Sequence, residues 1–357
     1  MSALAVAALV FMVVAMLGIP LIPSFRELRN QTDAKPLSVI QEHAGEIRHF
    51  ASGFRNYISG LRPALRQCIA TGTTAHGVLA DGCEYLILGK TVKFPEVKIK
   101  DREPICELVV LAGTLLKTPS NTVFVHEIYA AEDFIGGENS TYRAILGDKN
   151  IRLAPGSVVL RWVHALGSFS TDHHCDLFGR VSSDRLVYLG VNTQFLRVNA
   201  PRIELGAVAV ADGREVNDSS VFTDTQSRIV HRLLIDGDHE IGAGEVVKGS
   251  VVARGRLLVR AGARIHGSVK SHDGMILEPD VTVDGSVVSA SRLTVGNNCL
   301  LHGPVIAERQ MSIAAGTRCG TGSQPTTISS PRIDIEEGTL VFGTLWAREY
   351  GRVVVNL

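Results

Sequence analysis

Histidine and aspartate recur at an 18-residue spacing in the C-terminal part of the sequence, at His266, Asp284 and His302. If the chain folds in coils of about 18 residues, these side chains lie in one outward column, with neighbours about 5 Å apart. At that separation they could share hydrogen bonds or bind a metal ion. A hydrogen-bonded ladder in solvent is the simpler interpretation, and we predict no metal site here.

A denser group of possible metal ligands lies at residues 172–176, with the sequence Asp-His-His-Cys-Asp. Consecutive residues of a strand face opposite sides, and Cys175 falls at a position that the surrounding pattern places inside. The group is therefore not expected to converge on one metal ion.

Motifs for catalysis are missing from the sequence. It contains no G-x-S-x-G, no P-loop and no G-x-G-x-x-G after a strand, so hydrolase, NTPase and dinucleotide-binding functions lack their minimum requirement. We predict no catalytic residue, no cofactor and no metal.

A sequence repeat contains the spaced histidines and predicts the fold. Four segments of equal length align end to end: VKGSVVARGRLLVRAGAR (247–264), IHGSVKSHDGMILEPDVT (265–282), VDGSVVSASRLTVGNNCL (283–300) and LHGPVIAERQMSIAAGTR (301–318). One column of the alignment is Gly249, Gly267, Gly285 and Gly303, and another is Val251, Val269, Val287 and Val305.

Each segment also contains a shorter period, the hexad, whose first and fifth positions are apolar except at Ser271, Ser289 and Thr317. A strand alternates inward and outward and must turn a corner before the next flat side, so each hexad indicates one side of a coil. Three sides make one coil, whose length equals that of one repeated segment. We therefore predict an all-β fold, a parallel β-helix (β-solenoid) of three sides with coils stacked about 4.8 Å apart.

The same frame, in another phase, runs upstream from Ile151 to Leu205. The polar stretch 212–228 separates the two frames, and we predict that it is a loop thrown out from one coil, with stacking resumed on its far side. The predicted divisions are a transmembrane anchor at 1–24, an amphipathic helical juxtamembrane or capping segment at 25–72, an irregular β-solenoid at 73–211, a loop insertion and re-entry at 212–243, and a regular β-solenoid with a C-terminal cap at 244–357.

The predicted anchor is an apolar segment at the start of the chain. No charged residue occurs from Ser2 to Ser24, and a helix of about 20 apolar residues crosses a bilayer. Arg26, Arg29 and Lys35 follow the segment, so the positive-inside rule places the C-terminal part in the cytoplasm. A cleaved signal peptide is the alternative, but basic residues before the apolar core are missing. We predict a single-pass protein of the inner (cytoplasmic) membrane.

Composition excludes one class of partner. The chain has 36 Lys and Arg and 36 Asp and Glu, which gives no basic surface for nucleic acid. The six cysteines are dispersed and indicate no disulfide framework.

The steps GSVVA, GSVKS, GSVVS and GPVIA, each followed by a strand such as LLV or MIL, resemble the bactofilins, polymer-forming bacterial cytoskeletal proteins. The resemblance covers residues 245–320. It implies a right-handed β-helix that polymerises end to end without nucleotide, often at the membrane, and that organises envelope or polysaccharide machinery. The implied partners are further copies of the chain, the membrane and envelope-biogenesis proteins. The long upstream solenoid and the stretch 212–228 depart from the family pattern.

A hexapeptide-repeat acyltransferase, acting on an envelope or sugar substrate, is the enzymatic alternative. That class places glycine at the second hexad position, where only Gly296 stands between 247 and 318. It also requires a catalytic histidine, for which His231 and His239 are the candidates, and no nearby motif marks either as a base.

The end of the solenoid is the predicted assembly surface. A terminal coil offers an unpaired edge and apolar core residues, and Val341, Phe342, Leu345 and Trp346 lie in the last predicted coil. A charge placed at Leu345 is therefore expected to abolish assembly and to leave the fold intact.

Overall fold

A computed structural model of the chain describes residues 47–90, 94, 98–100, 103–206 and 228–355, together with Met12 and Met16. Contacts divide the chain into two units, Met1–Glu46 and Ile47–Leu357. The fold described below belongs to the second unit.

From Ile47 onward, two short helices precede the strands. Helix α1 spans His49–Tyr57, a single 3-10 turn follows at Ser59–Leu61, and helix α2 spans Arg62–Thr71. Proline in the first turn of α2 and Gly72 after its last residue, with φ of 71°, are favourable start and stop signals. The predicted amphipathic segment is thus confirmed as helical from His49 onward.

The remaining described chain is built of strands, with 53% of residues in strands against 9% in helices, which confirms the all-β class. The strands are β1 Thr74–Val78, β2 Glu84–Leu88, β3 Lys98–Lys100, β4 Glu103–Cys106, β5 Val109–Ala112, β6 Leu116–Lys117, β7 Val123–Ala130, β8 Phe134–Ile135, β9 Thr141–Gly147, β10 Ile151–Leu153, β11 Val158–Ala165, β12 Phe169–Thr171, β13 Asp176–Ser183, β14 Leu186–Leu189, β15 Gln194–Leu205, β16 Arg228–Ile235, β17 His239–Ile241, β18 Val246–Ala253, β19 Leu257–Val259, β20 Arg264–Ile265, β21 Val269–Ser271, β22 Met275–Leu277, β23 Thr282–Val283, β24 Val287–Ser289, β25 Arg292–Val295, β26 Leu300–Leu301, β27 Val305–Ala307, β28 Gln310–Ile313, β29 Arg318–Cys319, β30 Thr326–Glu336 and β31 Leu340–Val354.

The strands form a β-solenoid of about 12 turns. In the repeat, Val251 pairs in parallel with Val269, Val269 with Val287, and Val287 with Val305, so each residue lies beside its equivalent in the next repeated segment. The predicted coil length is confirmed there, and the same step joins Ile151 to Phe169 upstream. Three columns of strands give three sides: side A (β20, β23, β26, β29), side B (β21, β24, β27) and side C (β19, β22, β25, β28).

The repeated glycine of the G-x-V step is explained by the distance between coils. A Cβ built on Gly285 would lie 2.6 Å from the carbonyl carbon and oxygen of Gly267 in the preceding coil. Real Cβ atoms do not approach backbone so closely, so the stacked corner accepts only glycine.

A second corner is turned by one residue with positive φ in each of eleven coils. These residues are Asn121, Asn139, Gly156, His174 and Asn192 upstream, and Gly244, Gly262, Asp280, Asn298, Gly316 and Gly338 downstream. Glycine, asparagine and aspartate adopt this backbone conformation most readily. The corner therefore accounts for residues that the hexad pattern leaves unexplained.

The solenoid consists of two blocks, which we call block 1 (β1–β15) and block 2 (β16–β31). The stretch 212–228 is not a loop thrown out from one coil, as predicted, because β16, on its far side, stacks on β18 and not on β15. β15 pairs instead with β31, the last strand of the chain, and the two strands are antiparallel. The last strands of the two blocks therefore meet at a junction. β16, the first strand of block 2, lies at the end of that block that is remote from block 1.

The connection between the blocks is long enough for this arrangement. Along side B, β15 and β16 are seven strand spacings apart, which is a distance of about 34 Å. Residues 207–227 can span about 70 Å when extended. Most of the predicted loop at 212–228 lies outside the described residues.

No helix in the described part of the chain is both long and apolar enough to cross a membrane. The predicted anchor at 1–24 lies outside that part, except for Met12 and Met16, which are helical. The anchor and its orientation stay predictions.

Candidate assembly surfaces

The four residues predicted as an assembly surface lie in β31, at the junction of the two blocks. Val341 and Leu345 are completely buried, Phe342 is half-buried and Trp346 is 41% exposed. Val341 pairs with Ile203 and Leu345 with Val198, and the Arg197 guanidinium lies 5.2 Å from the centre of the Trp346 indole. The last coil is therefore not an exposed edge, because block 1 of the same chain covers it.

The junction has the geometry of an approximate two-fold axis through side B. Block 1 has the same three sides, and its side B contains Val198, which pairs with Leu345 on side B of block 2. Phe195, on side A of block 1, faces Gly351 on side C of block 2, and Ile203, on side C, faces Val341 on side A. Side B of block 1 thus pairs with side B of block 2, whereas sides A and C of block 1 pair with sides C and A of block 2. Two coils of the same hand that meet end to end are related in this way.

Hydrogen bonds continue the ladder around the junction coil. The amide of Asn192 donates to the carbonyl of Val353 at 2.8 Å, and the amide of Gly338 donates to the carbonyl of Leu205 at 2.7 Å. Between them, the Asn199 side-chain amide donates to Thr344 Oγ1 at 2.9 Å. Backbone groups that would be unpaired in two separate solenoids are therefore satisfied here.

A single interior column of side B runs through both blocks and identifies the open end. Its members are Leu86, Val110, Ile128, Ile145, Val163, Val181, Val198, Leu345, Ile328, Val305, Val287, Val269, Val251 and Leu233. Every member except Leu233 is at most 1% exposed. Leu233, in the terminal strand β16, is only half-buried.

The end formed by β16 has the properties of an unfinished coil. Leu233 and Ile235 occupy interior positions, since they pair with the fully buried Val251 and Ala253, yet both are half-buried. β16 pairs with β18 on one side, and no described strand pairs with its other edge. A strand edge beside half-exposed core residues is a template for further pairing.

The opposite end of the solenoid is covered. β1 folds antiparallel onto β2, and α2 contacts both strands. β3, which contains Lys98 and Lys100, folds antiparallel onto β4, and the Phe94 ring packs edge-on against Phe124 at 5.7 Å. A helix that covers the edge of a sheet opposes further pairing in natural proteins.

Helix α1 lies along side B of block 1. Phe54 packs on Trp162 with ring centroids 5.8 Å apart, and the Arg180 guanidinium lies 4.9 Å from the centre of the Phe50 ring. Arg55 bonds Asp148 at 2.6 Å. The helical segment was predicted to cap the first coil, and the structure shows that α2 does contact the first strands while α1 covers a lateral face as far as β11.

A buried histidine lies beneath the start of this helix. His164 Nδ1 is 2.8 Å from Ser182 Oγ, and its Nε2 is 3.8 Å from Asp184 Oδ1, which Arg48 approaches at 2.8 Å. Burial is the main cause that lowers the pKa of His164; Asp184 raises it, and Arg48 and Arg55 lower it further. The site favours neutral imidazole at the interface between helix and solenoid.

The spaced histidines form the ladder that their spacing predicts. His266 Nδ1 lies 2.7 Å from one carboxylate oxygen of Asp284, and His302 Nδ1 lies 3.2 Å from the other. All three side chains are partly exposed. Within the described ranges, no group of three or more His, Cys, Asp or Glu is arranged to hold a metal ion.

The group at 172–176 does not converge on one point. His173 and His174 are exposed, with their Nδ1 atoms 2.8 Å apart, whereas Cys175 is completely buried. Burial raises the pKa of the Cys175 thiol to about 11, so the thiol stays protonated and unreactive.

The two histidines considered for an acyltransferase lie near the open end. His231 belongs to β16 and His239 to β17. His239 lines a groove of about 720 Å³ on the side of block 2, together with Arg256, Asp273 and Ile276. No hydrogen bond in this groove orients His239 towards a carboxylate among the described side chains, as a catalytic base would require.

No known protein family, curated protein or solved structure matches this chain. Its geometry is therefore the basis for the function proposed below. The junction between β15 and β31 is the feature that sequence reasoning missed, because interior and outward residues alternate identically in parallel and antiparallel strands.

Proposed function

We propose that this chain is a membrane-anchored, self-assembling β-helical scaffold, similar to the bactofilins, that organises cell-envelope or polysaccharide machinery. The observation that carries the proposal is the unfinished coil at β16, where Leu233 and Ile235 are half-buried at positions that are fully buried in the next coil. A long, regular solenoid with one open edge is suited to joining copies end to end.

The proposed location is the inner membrane, with the solenoid in the cytoplasm. This part rests on the uncharged segment from Ser2 to Ser24 and on the basic residues that follow it. The proposed partners are further copies of the chain, the membrane and envelope-biogenesis proteins.

Electron microscopy of the full chain, purified in mild detergent without nucleotide, tests the proposal. End-to-end rods, filaments or sheets support it. Monomers at all concentrations contradict it, and uniform compact trimers with acyl-transfer activity would favour the acyltransferase instead.

Membrane attachment is tested separately on cell membranes that carry the full chain. Extraction only by detergent, and not by alkaline carbonate, is the expected result, and a matched chain lacking residues 1–24 should be soluble. Release of the full chain by carbonate would contradict the anchor.

A further inference from the structure

We infer that the open end of block 2 joins the same end of a second copy, by antiparallel pairing of β16 with its counterpart, and that this contact closes at two copies. The inference rests on the proposed self-assembly and specifies its geometry. Its partner is a second copy of this chain.

The terminal coil of block 2 is less buried than the other coils. The interior column of side B is at most 1% exposed at every coil from Leu86 to Val251, and only Leu233, its last member, is half-buried. One further coil in contact with Leu233 and Ile235 would complete the burial of the column. The backbone edge of β16 would be paired by the same contact.

The junction between the two blocks already shows how such a contact can form. There, two coils of this fold meet face to face through antiparallel strands, with Val198 opposite Leu345 on the shared side B. Applied to two copies of β16, the same operation places Leu233 opposite Leu233 of the second copy. The contact is then isologous, with one surface facing itself.

Charged residues in β16 and in the turn that follows it favour the antiparallel arrangement. Arg228 and Arg232 lie in β16, whereas Asp236 and Asp238 lie in the following turn. Antiparallel pairing centred on Leu233 brings Arg228 of each copy beside the turn of the other copy that contains Asp238. A parallel addition would instead place like charges side by side.

Closure at two copies follows from the opposite end. At that end the outer strands β1 and β3 are antiparallel additions and α2 contacts β1, so the described strands offer no second interrupted coil for the same pairing. An isologous contact uses both copies of the surface. The product is a rod whose side B contains 28 stacked strands over roughly 130 Å, against 14 strands over about 62 Å for one copy.

The test combines particle mass and rod length for the full chain in detergent. The expected result is a concentration-dependent dimer whose rods are twice as long as those of the monomer. Leu233→Asp should weaken the dimer by more than about tenfold, since two buried charges would face each other. The matched control is Ile276→Asp, at an outward position that is 49% exposed on side C of block 2, and it should dimerise like the unaltered chain.

A second variant tests the same contact between two copies by cross-linking, without introducing a charge into the terminal coil of block 2. Leu234 is outward-facing in β16 and 57% exposed, and diagonal neighbours across an antiparallel pair lie about 7–8 Å apart. Leu234→Cys should therefore cross-link between two copies with a short bismaleimide, whereas Ile276→Cys should not.

Three results would overturn the inference. Unlimited filaments, or a dimer that Leu233→Asp leaves intact with no cross-link at Leu234→Cys, would show assembly through another surface and leave the proposed scaffold standing. Monomers alone would reject both proposals.

Discussion

At the scale of single residues, coil spacing determines which side chains are permitted. The glycine column at 249, 267, 285 and 303 is visible in the sequence, but its reason is that a Cβ added at Gly285 would lie 2.6 Å from the backbone of Gly267 in the preceding coil. The interior valines were also predictable, since they recur at the same place in each repeated segment.

Gly285→Ala should destabilise the protein by about 1–3 kcal/mol, because the stacked backbones must separate to accept the methyl group. Gly274→Ala is the matched control, since its nearest atom, the carbonyl oxygen of Arg292, is 3.8 Å away. Chemical denaturation of the two variants measures the difference. Equal stabilities would show that the corner tolerates a side chain.

His164 illustrates a residue whose role the sequence does not reveal, because its burial depends on α1 packing against side B. Its folded pKa lies below the ordinary value of about 6.5, chiefly through burial. The unfolded chain therefore binds more protons in the window between the two values. The stabilising contribution is fully present above pH about 6.5 and is lost as the pH falls through the folded pKa.

The melting temperature should accordingly fall between pH about 7.5 and about 5.5, and it should fall less in His164→Gln. His272→Gln is the control, because that side chain is exposed and belongs to block 2. If the melting temperature of His164→Gln depended on pH in the same way as that of the unaltered chain does, His164 would not be the cause of the pH dependence.

At the scale of elements, the pairing of β31 with β15 gives a structural role to the residues that were predicted to form an assembly surface. Val341 and Leu345 do take part in joining two coils, but both coils belong to one chain. The sequence correctly predicted that they lie in the last coil. It could not show that this coil pairs with β15, because the alternation of inward and outward residues is the same whether the neighbouring strand is parallel or antiparallel.

Leu345→Asp should therefore destabilise the fold, by about 3–5 kcal/mol, because the new carboxylate is buried without a partner. This corrects the expectation that a charge there leaves the fold intact. Trp346→Asp, one residue away and 41% exposed, should lose only about 1 kcal/mol, mainly the contact with Arg197. Unfolding of the variants by urea compares them, and an unaltered midpoint for Leu345→Asp would argue against the junction.

At the scale of the whole solenoid, the opposed blocks decide which ends remain for assembly. The coil length, the three sides and the upstream extension were all predictable from the hexad frame. The order of stacking was not, because it depends on which coil β31 meets after the chain has crossed between the blocks. Because of that order, the unpaired strand edge is at β16 and not, as predicted, in the last coil of the chain.

The pairing of β15 with β31, and not with β16, is tested most directly by a pair of engineered cysteines. Asn199 and Thr344 face each other across the antiparallel junction, at a separation that suits a disulfide. Under oxidation, the double variant Asn199→Cys with Thr344→Cys should form a disulfide within one chain, detected by peptide mass. Continuous parallel stacking would place Asn199 beside Leu234 instead. A disulfide in Asn199→Cys with Leu234→Cys, and none in the first pair, would contradict the account.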